Sequence, residues 1–308
     1  MPIPRLLIDT DPGVDDALAI LMAHAAGDVL GLTIAAGNVG LGHTVSNALR
    51  LVETLDAPTP VFAGCPLPLV QPAADAAHVH GRDGFGDTGY LPATRHAKTE
   101  HAALAILRLS HAHAGALTLV ALAPLTNLAL ALRLDPTLPE RVPRLVIMGG
   151  AVTGRGNTSV PAEFNIGFDP EAAHVVFSAW PHFELVDWEA TLRHGIDFAR
   201  FEDWLARGDA RARFYAAISR RTRTWSRERG RARLLAADAL AMAVALEPDA
   251  VRHAEDRHVA VELSGTLTRG ATVVDWEGRG GRPANARIVL EVDQERFEAA
   301  IARALGVR

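Results

Sequence analysis

The chain is poor in the residues that staple or anchor proteins. Its 308 residues hold a single cysteine, Cys65, so no disulfide framework can form within it. A reducing, cytoplasmic setting is the matching expectation. Lysine is nearly missing as well: of 31 basic side chains only Lys98 is not an arginine. The formal net charge is −5, and nothing in that balance points to nucleic acid as a main partner. No apolar run is long enough to cross a bilayer. No basic segment with an apolar core precedes the first strand, so neither a membrane partner nor an export signal is expected. What the chain does have is apolar mass, 49% of its residues, enough to bury a substantial core.

Short apolar segments alternate with helical patterns. Leu6–Ile8, Leu30–Ala36, Val61–Ala63, Leu117–Leu122, Leu145–Met148 and Phe183–Val186 read as strands. Helical patterns over Asp15–Ala26, Thr44–Leu55, His101–His113, Thr126–Leu132 and Pro170–Ala179 separate them. This predicts βαβ units and an α/β fold: a single domain over residues 1–308 with a mostly parallel central sheet flanked by helices. Near the C-terminus, Val259–Leu263, Ala271–Asp275 and Ala286–Val292 are separated by Gly-rich turns with no helix between them. That pattern predicts a small antiparallel appendage.

The first strand runs into Asp9-Thr10-Asp11-Pro12-Gly13-Val14-Asp15-Asp16, four carboxylates in eight residues around one Pro-Gly turn. Carboxylates so close repel one another, and a proton or a cation must sit among them. All the donors are hard oxygens with no His or Cys in the cluster, which favours Ca²⁺ or Mg²⁺ over zinc. A helix cap would need one or two acids, not four. Asp11, Asn38, the Leu122-Ala123-Pro124 turn and Met148-Gly149-Gly150 fall at or just past the carboxyl ends of predicted strands. In an open parallel sheet that edge binds ligands.

Other polar residues stand out singly. Asn157 and Glu163-Phe164-Asn165 lie in an aperiodic stretch, Gly154 to Gly167, that is long for a plain connection. A carboxylate with amides beside it suits a vicinal diol. His78 and His80 occupy a Gly-rich segment, read either as a mobile loop with one His reaching a substrate or as a solvated loop. Asp238 interrupts the apolar run Leu234–Met242, where it either caps a helix or, if buried, demands a partner. Arg220 to Arg233 holds seven arginines around Trp225. A solvated helix face or a substrate lid fits that run, with Trp225 either stacking on a flat ligand or packing into the core. Phosphotransfer by an Asp9/Asp11 pair with Mg²⁺ is a rival reading, and the solitary Lys98 counts against it.

These blocks resemble the inosine-uridine preferring nucleoside hydrolases. The resemblance rests on Asp9–Ala17, Ala36-Gly37-Asn38, His80-Gly81, Pro124–Asn127, Met148–Gly150, Asn157, Ala162–Asn165, Asp169–Ala173 and Asp238-Ala239, in family order over nearly the whole chain. It implies the open α/β nucleoside hydrolase-like fold and Ca²⁺-dependent hydrolysis of the N-glycosidic bond of ribonucleosides, releasing ribose and a free base. It implies a Ca²⁺ held by Asp11, Asp16, Asp238 and the main-chain carbonyl of Leu122, with Asp11 as general base. Asp15, Asn38, Asn157, Glu163 and Asn165 would hold the ribose, with Met148 lining the same pocket. His80 and Trp225 complete the expected substrate contacts, and a homodimer or homotetramer is expected. One position departs from the pattern. Many members carry His immediately before the last metal Asp, where it protonates the departing base, and other branches carry Cys or Trp. This chain has Ala237. His80 is then the remaining candidate for that proton, and a non-catalytic nucleoside- or ribose-binding homologue is the alternative.

Overall fold

Aliphatic runs too short for helices line up as a central sheet in the computed structural model, which describes residues 3–307. Six strands run parallel: β1 (Arg5–Thr10), β2 (Asp28–Ile34), β3 (Val61–Ala63), β4 (Leu117–Ala121), β5 (Arg144–Met148) and β6 (Phe183–Val186). The two-residue strands β7 (Ile196–Asp197) and β8 (Arg233–Leu234) form a separate antiparallel pair. β9 (Val251–Val261), β10 (Thr272–Asp275) and β11 (Ala286–Val292) follow. Among the described residues the main sheet has the order β10-β9-β11-β6-β5-β4-β1-β2-β3.

The expected antiparallel strands are present, and they continue the parallel sheet edge to edge. β11 pairs parallel with β6 and antiparallel with β9. β9 starts at Val251, well ahead of the expected Val259. Its first half carries Arg252, His253, Glu255, Asp256 and Arg257, so no apolar alternation marks it.

Alternate residues of β1 face opposite ways, as the pleat requires. Leu6 and Ile8 join one buried cluster, and Leu7 joins another. The first cluster includes the helices Val14–Ala26 and Ala237–Leu246, which pack on each other. Every residue from Ala237 to Ala245 is buried. A helix apolar on every side except at Asp238 must be enclosed, and this one lies between the sheet and its partner helix. Helices Ala102–Ala112, Thr126–Leu134 and Pro170–Ala179 contribute to the second cluster. No helix among the described residues is long and apolar enough to cross a membrane.

The strand order reverses at β1. β2 and β3 follow it on one side, while β4 lies on the other. Such a switch point opens a crevice at the carboxyl ends of the two central strands, and those ends lead into Asp11 and Leu122. The crevice is braced from below. Asp9, near the end of β1, accepts bonds from Thr33 Oγ1 at 2.7 Å and Asn127 Nδ2 at 2.9 Å. Asn127 Oδ1 in turn accepts the Cys65 N–H at 2.8 Å. Asn127→Ala would leave a buried carboxylate short of a donor and a buried N–H without an acceptor. A loss of about 2–4 kcal/mol is expected in urea unfolding. A change under about 0.5 kcal/mol, the size of an ordinary surface substitution, would show that this brace carries no weight.

Candidate active site

The acidic turn folds as it does because a helix begins inside it. Gly13 is the N-cap of Val14–Ala26, and Asp16 Oδ2 accepts its N–H at 3.0 Å. Asp16 Oδ1 also accepts from Thr10 Oγ1 at 2.5 Å and from Asp11 N at 3.3 Å. Asp16 therefore serves the helix end and the acidic cluster at once. Asp238 is the second residue of Ala237–Leu246, whose N-cap position is held by Ala236. The capping role considered for Asp238 is thus not the one it takes. One oxygen from each of Asp15, Asp16 and Asp238 lies within 4.8 Å of the others. Asp11 stands outside that trio. Its Oδ2 accepts the Asn38 N–H at 2.6 Å, while its buried Oδ1 has no hydrogen-bond partner. Asn38 Nδ2 donates to Asp16 Oδ2 at 2.9 Å and to the Asp11 carbonyl at 3.2 Å. The approach is close enough to require glycine: a Cβ on Gly37 would lie 2.1 Å from Asp11 Oδ2.

The chain past β5 supplies a second wall. Glu163 caps the short helix Phe164–Phe168 and accepts from Asn165 N at 3.0 Å, Ile166 N at 3.3 Å and Gly150 N at 2.9 Å. Asn165 Nδ2 donates to the carbonyls of Leu122 at 2.7 Å and Met148 at 3.2 Å. Asn157, exposed, accepts the Phe164 N–H at 2.8 Å. A cavity of about 380 Å³ results, lined by Asp15, Asn38, His80, Leu122, Met148, Asn157, Glu163, Asn165, Trp225 and Asp238. Asp11 and Asp16 are buried and joined to the lining through Asn38. Asp9 does not line the cavity and is bonded to Thr33 and Asn127, so Asp9 and Asp11 do not face one ligand together.

Two expectations need adjusting. His80 is not carried on a swinging loop. It ends the helical turn Ala77–His80, is buried, and its Nδ1 accepts the Val14 N–H at 3.1 Å. The N–H groups of a helix's first turn have no partner within the helix, and the imidazole meets one of them. Its proton is therefore on Nε2. The arginine run is also more divided than a solvated face. The helix Ala210–Glu228 holds Arg221, Arg223 and Arg227 in ion pairs with Asp87 and Glu202; Arg223 borders the cavity from within its pair, and Arg229 and Arg231 line it without one. Trp188 and Tyr215 line it too. Only contacts between distant segments reveal Trp188 and Tyr215, whereas Arg229 and Arg231 belong to the run also read as a substrate lid.

Residues 6–299 match the family model described as inosine-uridine preferring nucleoside hydrolase. A pyrimidine-specific ribonucleoside hydrolase of Shigella sonnei is 35% identical over 298 residues, 95% of this chain and 94% of that protein. The structure of an inosine-guanosine nucleoside hydrolase superposes with a TM-score of 0.92 at 33% identity, covering 99% of each chain. A purine-preferring ribonucleoside hydrolase from Gardnerella vaginalis superposes with a TM-score of 0.88 at 28% identity over 98% of each.

The electrostatics of the site follow from burial. Burial first, and neighbouring carboxylates second, hold the Asp11 and Asp238 carboxyls well above the usual range. Asp15 and Asp16 are raised by burial as well. Burial pushes Asp9 and Glu163 up to about 7 each. It pushes His80 down to about 4, so the imidazole is neutral near pH 7. No Arg or Lys among the described residues pairs with any of these six acids; their nearest basic side chain is His80, 3.9 Å from Asp15. A carboxyl raised in the folded state keeps its proton after the unfolded chain has released it. Its stabilisation is complete below the unfolded value, about 4, and is lost as pH rises through the folded value. Carboxyls lowered by surface partners, such as Asp135 at about 2, act only in more acid solution. The lowered His80 acts in the opposite sense between about pH 4 and 6.5, but the raised acids outnumber it, so the metal-free protein is expected to lose stability between about pH 4 and pH 8, most steeply above pH 6.5. Denaturant midpoints in chelator at pH 5, 6.5 and 8 test this; a flat or rising series would contradict it.

Proposed function

The chain belongs to the inosine-uridine preferring nucleoside hydrolase family and is an N-ribosyl hydrolase acting on ribonucleosides, and we propose that Asp11 is its general base and Ca²⁺ its metal. The observation that carries this reading is Asp11 Oδ1, a buried carboxylate oxygen with no hydrogen-bond partner among the described residues. Such an atom calls for a proton or a cation. The surrounding donors are all oxygens, and their raised proton affinities reflect burial first and mutual repulsion second, with no Arg or Lys among the described residues to balance them. That set fits a hard divalent ion. Asp11, Asp16, Asp238 and the Leu122 carbonyl would hold it, and Asp15 is near enough to Asp16 and Asp238 to assist. When bound, such an ion offsets the clustered charge, polarises a water and lowers that water's pKa.

The protein's own residues then have distinct tasks. Asp11 takes the proton of the attacking water at Oδ1, while its Oδ2 stays fixed by the Asn38 N–H. Asp15, Asn38, Asn157, Glu163 and Asn165 hold the ribose hydroxyls, and Met148 packs against the sugar. Cleavage builds positive charge on the ribosyl ring, and the clustered carboxylates stabilise it. His80 and Trp225 face the base. The methyl of Ala237 can neither donate a proton nor stack. The span of the family match supports reading residues 1–308 as one such domain.

Asp11→Asn keeps the shape and removes the proton acceptor. Release of ribose from the best riboside should fall by at least about 10²-fold in kcat. Asn38→Ala and Glu163→Ala should impair the same assay, and a near-wild-type rate for Asp11→Asn would sink the mechanism. The metal is tested separately. Exhaustive chelation should lower both Tm and activity, and Ca²⁺ at about 100 times its Kd should restore about 2.7 kcal/mol of stability. The gain should be larger at pH 8 than at pH 5, because at low pH the ion must displace bound protons. Asp238→Asn should abolish it. A Tm unmoved by chelation and by Ca²⁺ at either pH would rule the ion out.

A further inference from the structure

Breaking an N-glycosidic bond creates two charges, and the acidic cluster answers only the positive one. Ala237 leaves no proton donor beside Asp238, so help for the departing base must come from elsewhere in the cavity. After the helix Ala210–Glu228 the chain turns at Gly230, which takes a φ of 69°, and returns along β8. Arg231 lies on that return. Its guanidinium carbon is 5.6 Å from the Trp188 ring centre and 5.3 Å from the Trp225 ring centre. Arg229 lies over Trp225 at 4.1 Å. Arg231 is half-buried and lines the cavity.

In the run, Arg221, Arg223 and Arg227 have carboxylate partners, whereas Arg229, which lies over Trp225, has none among the described residues. Arg231 has none among the described residues, and its side chain donates no hydrogen bond there. Burial and the nearby Arg229 charge both disfavour its protonated form. A cation kept in such a place without a counterion is prepared to meet an anion. Contact with ring faces orients a guanidinium while leaving its in-plane N–H donors free.

We propose that Arg231 stabilises the departing base as an anion, in place of the proton that position 237 cannot give, and so favours oxo-bases over amino-bases. The inference rests on the reading of Asp11 given above. The bond between C1′ and the base nitrogen breaks with its electron pair staying on the base. That charge spreads onto ring nitrogens and carbonyl oxygens, which accept the Arg231 N–H bonds. The water oxygen bonds to C1′, and its proton passes to Asp11 and then to solvent. The released base takes a proton from solvent, so riboside and water give ribose and neutral base. An exocyclic amino group would turn donors toward the guanidinium donors, and adenine or cytosine would be disfavoured.

Arg231→Met and Arg231→Lys, assayed on inosine, uridine, adenosine and p-nitrophenyl riboside, test this. Arg231→Met is expected to lose about 10²-fold in kcat on inosine and uridine, yet stay within about 3-fold on p-nitrophenyl riboside, whose leaving group needs no help. Arg231→Lys should recover part of the loss, and the preference for inosine over adenosine should flatten in Arg231→Met. An equal loss on every substrate, or no loss on any, would overturn the proposal. Asp11→Asn slows all four substrates alike if it is the general base, so the two readings fail differently. A wild-type protein that releases ribose from none of them overturns both.

Discussion

Six carboxylates, five of them buried and Asp15 partly so, surround one crevice with no Arg or Lys paired to them among the described residues. Asp9, Asp11, Asp15, Asp16, Glu163 and Asp238 come from three separate stretches of chain, and neutral His80 is their nearest basic neighbour among the described residues. Desolvating that much negative charge is unfavourable, and the surrounding structure is built to offset it. The raised proton affinities are the visible result. Two outcomes satisfy the constraint: protons at low pH or a divalent ion at neutral pH. The second places the chemistry where the strand order reverses.

The offsetting is done by backbone. Asp15 and Asp16 lie in the first turn of one helix and Asp238 in the first turn of another, where the partial positive charge of the helix end favours an anion. Glu163 caps a third. Asp16 and Glu163 accept N–H groups at helix starts, so at those two positions function and folding ask for the same residue. Asp16 shows this most directly, since it accepts from Gly13 N, Asn38 Nδ2 and Thr10 Oγ1 together. Glycines at 13 and 37 follow from the same crowding: a Cβ at Gly13 would sit 2.7 Å from His80 Nδ1.

Much of this was legible in the sequence, because the informative signals were local. The strand-turn-helix with four Asp and the alternating strands and helices needed no knowledge of distant contacts. Asp238 in an apolar run pointed correctly to a buried acid needing a partner. What stayed hidden depends on pairing between remote segments. The first half of β9 carries charged residues, and its strand state comes from β11 beside it. β11 in turn joins the parallel sheet through β6, which no local pattern could announce. His80 looked mobile because glycines follow it, yet its ring is tied to a helix start 66 residues earlier. The grouping of Asp15, in place of Asp11, with Asp16 and Asp238 is a matter of side-chain direction within one helical turn.

The cavity also has a polarity that the reaction can use. Its acidic members gather at the ends of β1 and of the helix Ala237–Leu246, while Arg229 and Arg231 arrive from the turn after Ala210–Glu228. A bond whose cleavage leaves a cation on the sugar and an anion on the base fits a site with one charged region of each sign. With a proton donor at position 237 the base would leave neutral, and a nearby arginine would have no charge to meet. With alanine there, an anionic leaving group is the route that remains, and the two indoles around Arg231 give its guanidinium a fixed position. The alanine at 237 and the arginines of that turn are therefore parts of one arrangement.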